Sequence, residues 1–146
     1  MKAIFSFLVA LLIYASSEAQ IPQTLSYQGL LTDPSPSFVS LSANIFTLTA
    51  GEYFIEGSSP FYYTGASKIR LYNVSSSTVL ADGTSEDQAT QVQTRSEIMT
   101  RFTLPSSTQI RMEYFVQLAS ASASSLGTAT SQGQETYTQI KITKLR

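Results

Sequence analysis

The feature that most constrains this chain is a two-residue alternation of apolar and polar side chains running from near Phe38 to the last residues. Period two is the repeat of a half-buried strand, and no stretch shows the 3.6-residue repeat of a helix. Gln109 to Ser120 alternates most cleanly, with Ile110, Met112, Tyr114, Val116 and Leu118 on one face. Arg111, Glu113, Phe115 and Gln117 fall on the other. Glu52 to Ser59 sets Tyr53, Ile55 and Gly57 against Glu52, Phe54, Glu56 and Ser58, and Pro60 is expected to end that strand. Val39, Leu41, Ala43 and Ile45 alternate with serines and Asn44, and the segment reads on through Phe46-Thr47-Leu48 to a turn at Ala50-Gly51. Lys68 to Asn73 places Ile69 and Leu71 opposite Lys68, Arg70 and Tyr72, and Thr78 to Ala81 returns after three serines. Asp82-Gly83 marks a turn, and Thr84 to Gln93 reads as a polar loop. Thr94 to Leu104 puts Ile98, Phe102 and Leu104 against Arg95, Glu97 and Arg101, and Glu135 to Leu145 forms the last strand. Strands at roughly 10–15-residue spacing with Gly, Pro and Ser turns predict an all-β, antiparallel two-sheet sandwich or jelly roll.

Composition narrows the chemistry. The 146 residues include no Cys, His or Trp. That excludes disulfides, a Cys/His zinc site, a Ser-His-Asp triad and a Cys nucleophile. A net charge of −1 gives no bulk attraction for nucleic acid. The 23 Ser and 17 Thr suit turns and exposed strand faces respectively. No cofactor and no enzymatic activity are expected. Glu52 and Glu56 share a strand face but stand roughly 13 Å apart by strand rise, beyond the separation of a glycosidase pair. Glu86-Asp87 reads as solvated surface charge.

Residues 1–19 read as a cleaved signal peptide: Lys2, an apolar run from Ala3 to Tyr14, then small residues at Ser17 and Ala19. The run of about 12 residues is short for a membrane span, which needs roughly 20. Removing 19 of the 146 residues would leave 127, expected to be secreted or at the cell surface with no further membrane span. Residues 20–37 read as an N-terminal arm and linker, with a strand at Thr24 to Gln28 and a break at Asp33-Pro34-Ser35-Pro36-Ser37. The compact domain is expected over 38–146. An exported domain without disulfides must draw its stability from a core or from oligomerisation.

Phe46-Thr47-Leu48-Thr49-Ala50-Gly51-Glu52-Tyr53-Phe54-Ile55-Glu56 resembles a strand motif of the jelly rolls of tumour necrosis factor and the complement globular head. Lys68 to Asn73, Thr94-Arg95-Ser96, Arg101 to Leu104 and Tyr137 to Leu145 follow in an order similar to a variant of that fold in bacterial and phage tail-fibre proteins. The resemblance implies a ten-strand jelly roll that assembles as a homotrimer and binds an extracellular protein or glycan. Two departures from the resemblance stand out: the sequence shows no collagen-like or coiled-coil pattern, and the arm differs from the first strands that the family implies. Leu25-Ser26-Tyr27-Gln28-Gly29 instead resembles a segment near the start of exported bacterial surface proteins. The calcium that some relatives bind finds no acidic cluster beyond Glu86-Asp87.

Through the resemblance, Arg70, Arg111 and Glu113 face the trimer axis, and Tyr72, Phe115 and Tyr137 lie on the outward face of one inner sheet. These six residues form the expected trimer interface. The alternative for the aromatics is that they cap the core edge or line a glycan groove. Phe61-Tyr62-Tyr63 after Pro60 forms an aromatic loop, read as ligand-binding or as a plug at the end of the sandwich. Loops 60–67 and 84–93 are expected at one end. Asn73-Val74-Ser75 is a glycosylation sequon on a turn. The leading reading is a secreted, non-catalytic trimeric recognition or adhesion module. The alternative is a subunit of an extracellular fibre assembled through the N-terminal arm.

Overall fold

Alternating side chains demand a pleated backbone with one face buried, and the computed structural model delivers nine strands. It describes residues 23–24, 37–88, 92–118, 126–129, 131–133 and 136–146. The expected signal peptide, nearly all of the arm and residues 119–125 lie outside the described residues. The strands are β1 (Gln23–Thr24), β2 (Val39–Ser42), β3 (Ile45–Leu48), β4 (Gly51–Tyr62), β5 (Ser67–Asn73), β6 (Thr78–Asp82), β7 (Gln93–Leu104), β8 (Thr108–Val116) and β9 (Gln139–Lys144). Every ladder is antiparallel. One sheet has six strands in the order β2-β3-β8-β5-β6, with β1 also on β8, and the other runs β7-β4-β9. This is the expected two-sheet jelly roll, with nine strands described where the resemblance implied ten.

The core lies between the sheets. The six-stranded sheet contributes Phe46, Leu48, Ile69, Leu71, Ile110 and Met112, and the other contributes Tyr53, Ile55, Phe61, Ile98 and Leu104. Fully burying an aliphatic or aromatic side chain is worth about 1.5–3 kcal/mol, so this set supplies much of the stability that no disulfide provides. The Tyr53 hydroxyl donates to the Thr49 carbonyl at 2.8 Å, which satisfies the polar tip of a buried ring.

Three local expectations change. Val39 to Leu48 is a hairpin, not one strand: Ala43 and Asn44 take φ of 47° and 64°, and Val39 pairs with Leu48. A two-residue turn with both φ positive matches strand twist, and Asn tolerates it well. The reversal shifts the inward set from odd to even numbers, so Ile45 pairs with Ser42 while Phe46 and Leu48 are buried. Pro60 does not end β4, which pairs with β7 as far as Tyr62. Pairing with β9 stops at Ser58, so Pro60 sits where that edge has no ladder to interrupt. Leu118, expected on the inward face with Val116, lies beyond the end of β8 and is 55 % exposed. In the arm, the described pairing is Gln23 with Tyr114 and Thr24 with Glu113, and residues 25–28 of the expected strand lie outside the described residues.

Gly83 follows β6 as a crossing point between sheets. Its N–H donates to the Ile69 carbonyl and Thr84 N–H donates to Glu97, at 2.9 and 2.8 Å. The buried Ser96 hydroxyl completes the seam, accepting from Ile69 N–H at 3.1 Å and donating to the Thr84 carbonyl at 2.6 Å. A Cβ on Gly83 would stand 2.7 Å from Ile69 Cγ1 and 2.8 Å from the Glu97 carbonyl oxygen.

Candidate functional site

Because Ile69, Leu71, Ile110 and Met112 take the inward face, the intervening residues of β5 and β8 must point outward. The register sets Lys68 opposite Phe115, Arg70 opposite Glu113, and Tyr72 opposite Arg111. Cross-strand partners stand close enough for direct side-chain contact. The Arg70 Nε meets Glu113 Oε2 at 2.5 Å. Arg111 reaches the other oxygen, Nε at 2.6 Å and Nη2 at 2.5 Å. The Arg70 guanidinium lies 5.0 Å from the Tyr72 ring centre and 4.8 Å from that of Phe115, and Arg111 lies 5.4 Å from Tyr72. Cation–π contacts of this length each add about 0.5–2 kcal/mol according to exposure. On this outward face Glu113 is 0 % exposed, Arg70 18 % and Arg111 31 %. Lys68 and Asp82 flank the cluster as a mutually neutralising pair at 3.4 Å.

Five of the six expected interface residues therefore form one cluster. Tyr137 does not join them. Its segment leads into β9, which pairs with β4 in the other sheet. Its carbonyl accepts from Arg95 Nη1 at 3.3 Å, and a Cβ on Gly127 would stand 3.0 Å from its ring. The period-two pattern fixes which face a residue takes but not which sheet its strand joins.

The aromatic loop also divides. Phe61 is fully buried inside β4, 6.2 Å from the Tyr114 ring centre, so it is a core residue and not a ligand contact. Tyr62 is half-buried at the end of β4, and Tyr63 is 50 % exposed with φ of 56°. Of the three, Tyr63 alone offers its ring to solvent as an exposed side chain. Segment 60–67 meets residues 84–88 of the expected second loop, whose residues 89–91 lie outside the described residues. Ser67 and Glu86 exchange both backbone hydrogen bonds, at 2.8 and 2.9 Å. The Thr64 hydroxyl donates to the Gln88 amide oxygen at 3.3 Å, and Gln88 in turn donates to Thr94. Gln88 is buried, which nothing in its polar surroundings in the sequence signals.

The acidic residues of β4 are each paired with cations on the outward face of the three-stranded sheet. Glu52 meets Arg101 at 2.5 Å and Arg146 at 2.6 Å, and Glu56 meets Lys141 at 2.8 Å. The hydrogen bond from Arg101 is the largest influence holding the Glu52 carboxyl below its ordinary range, with the charges of Arg101 and Arg146 adding to it against partial burial. A shallow groove of about 390 Å³ passes between Glu56, Glu97, Met99 and Lys141. At the other end Asn73 Oδ1 accepts from Ser76 N–H at 3.0 Å, which shapes the β5–β6 turn that carries the sequon. No helix among the described residues is long and apolar enough to cross a membrane.

No family model and no curated protein matches the chain. Among solved structures it is similar to the globular domain of the zebrafish complement 1qA protein, with a TM-score of 0.51 and 14 % sequence identity. That match covers 82 % of this chain and 79 % of the zebrafish chain. At this identity the likeness shows the jelly-roll fold.

Proposed function

We propose that the chain is a secreted, non-catalytic recognition module that assembles as a homotrimer through the outward face of β5 and β8. The observation that carries this reading is the Arg70–Tyr72–Arg111–Glu113–Phe115 cluster. It sets a fully buried carboxylate and two half-buried aromatics on a face turned away from the core. Arg and aromatic residues are the types enriched at protein contacts, and a covered carboxylate fixes register more than it adds stability. The jelly rolls that the chain resembles pack as trimers through such a sheet, which supports the same choice. The joined loops around Tyr63 and Glu86 would then present a ligand surface at one end, for an extracellular protein or a glycan. A tip domain of the tail-fibre type is the setting this reading favours.

One observation favours a second reading, a fibre subunit joined through its arm. Gln23 and Thr24 pair with β8 beside the cluster, where the same two residues of a neighbouring copy could substitute. The test is the mass in solution of the chain lacking residues 1–19, by light scattering. Three times the chain mass is expected, with Arg111→Ala shifting it downward. A mass of one chain would overturn the trimer, and concentration-dependent filaments would favour the fibre.

A further inference from the structure

The arginine cluster carries more donors and more charge than its carboxylate can use. Each guanidinium has five N–H donors in a rigid fork and no acceptor. Among the described residues, Arg70 gives one of its donors to Glu113, and Arg111 gives two to a single oxygen of the same carboxylate. The pair therefore brings one positive charge more than Glu113 neutralises. Lys68 and Asp82 beside it cancel, so they leave that excess in place. The Arg70 guanidinium lies over the rings of Tyr72 and Phe115, and that of Arg111 lies over the ring of Tyr72.

This matters because Arg70 and Arg111 are already 18 % and 31 % exposed in one chain. Covering the same face with other subunits would remove most of the remaining water. A guanidinium without an acceptor or a counter-charge is costly to bury. Three copies would converge with three unbalanced charges.

We infer that the Arg70–Arg111 pair binds a small oxyanion of the sulfate or phosphate class, held by the guanidinium N–H groups that Glu113 leaves unused. The geometry suits this class. Charge-assisted N–H bonds to tetrahedral oxyanions favour forked, planar donors, and two such forks here converge on one carboxylate beside the rings of Tyr72 and Phe115. The need for the anion, though not the donors that would hold it, rests on the reading of this face as the subunit contact, since closure of the face supplies the desolvation that makes the anion necessary.

Melting curves of the chain lacking residues 1–19, taken against sodium sulfate with sodium chloride at matched ionic strength, test it. Sulfate also stabilises proteins by exclusion from their surface, which grows steadily with concentration and does not saturate. A bound anion instead gives a saturable rise at low concentration. The saturable phase is expected with sulfate and not with chloride. Arg111→Gln should weaken it by about tenfold or more, while Arg101→Gln on the opposite sheet should leave it unchanged. If Arg111→Gln does not fold, calorimetric titration of the unsubstituted chain with sulfate decides by its stoichiometry: a defined number of anions supports the site, and no binding heat overturns it.

Solution mass separates this inference from the trimer. A trimer with only the non-saturating response overturns the anion site and leaves the interface. A monomer with a saturable response that Arg111→Gln abolishes keeps the anion site and overturns the interface. A monomer with only the non-saturating response overturns both.

Discussion

Glu113→Gln is the most informative single change, because it keeps shape and volume while removing the charge that two arginines share. Glu113 accepts from Arg70 on one oxygen and from Arg111 on the other. A glutamine must turn an NH2 toward one of them, so in either orientation one guanidinium faces a donor. A hydrogen bond to a charged group is worth about 1.5–3 kcal/mol, and breaking a fully buried ion pair costs about 3–5 kcal/mol. The carboxylate is 0 % exposed, but its partners at 18 % and 31 % can draw some water and keep their aromatic contacts. The loss should therefore fall below the fully buried figure, at about 2–4 kcal/mol. With a urea m-value near ~1.5 kcal/mol/M, the unfolding midpoint should drop by about 2 M. Circular dichroism in urea near neutral pH reads this directly. Running it at two protein concentrations separates subunit dissociation from unfolding of the chain. A midpoint change under ~0.5 M would refute the reasoning, since it would mean that water already satisfies both arginines. The double variant with Arg111→Gln should cost less than the sum of the single changes, because the second substitution removes a charge that the first left unpaired.

Two further changes probe the scaffold. Gly83→Ala should destabilise, because its Cβ meets the Glu97 carbonyl oxygen at 2.8 Å and Ile69 Cγ1 at 2.7 Å, and the first is backbone. Overpacking of about 1–3 kcal/mol exceeds the roughly 0.4–1 kcal/mol gained by stiffening the unfolded chain, and a melting temperature at or above the unsubstituted value would contradict the crossing described for Gly83. The lowered pKa of Glu52 makes its link to Arg101 stabilising above the ordinary carboxylate value of 4.5 and ineffective once pH falls through the folded value. Arg101→Gln should thus differ most from the unsubstituted chain near neutral pH and converge on it in acid, and a gap in urea midpoint that stays constant down to about pH 3 would count against that link.

Much of this architecture was legible because strand alternation reports burial directly. The inward placement of Tyr53, Ile55, Ile69, Leu71, Ile98, Leu104, Ile110 and Met112 follows from the sequence, as does the outward placement of Arg70, Tyr72, Arg111, Glu113 and Phe115. Alternation says nothing of partners, however. Tyr137 has the right residue type, but its segment leads into β9 of the other sheet. Phe61 lies in a segment that reads as a loop because Pro60 precedes it, yet the local end of β9 pairing lets β4 run on and buries the ring. The Ala43-Asn44 turn was hidden because Ala is a poor advertisement for positive φ, and the alternation of serines ran across it unbroken. Gln88 and Ser96 were hidden for a different reason: their burial depends on where two loops and two sheet edges cross.

The two outward faces share their chemistry and differ in cover, and that difference singles out the site. Both carry Arg–Glu pairs at about the same distance, yet Arg101 is 62 % exposed and Lys141 73 %, against 18 % for Arg70. On the three-stranded sheet, Met99 projects at 72 % exposure between pairs whose cations are largely solvated, which limits what each is worth. On the six-stranded sheet, Arg70 on β5 and Arg111 on β8 both stand on strands with neighbours on both edges, whereas Arg101 and Lys141 stand on β7 and β9, the outer strands described for the other sheet; β8 itself has β5 on one edge and β3 and β1 on the other. Its outward side chains are hemmed in laterally before any partner arrives. A central strand can therefore hold a charged cluster in a fixed arrangement, with much of its desolvation already met on folding. That preorganisation lowers the ordering cost of association, as a surface of freely rotating arginines would not. The placement of both arginines on interior strands, more than the identity of the residues, thus makes this face suited to contact.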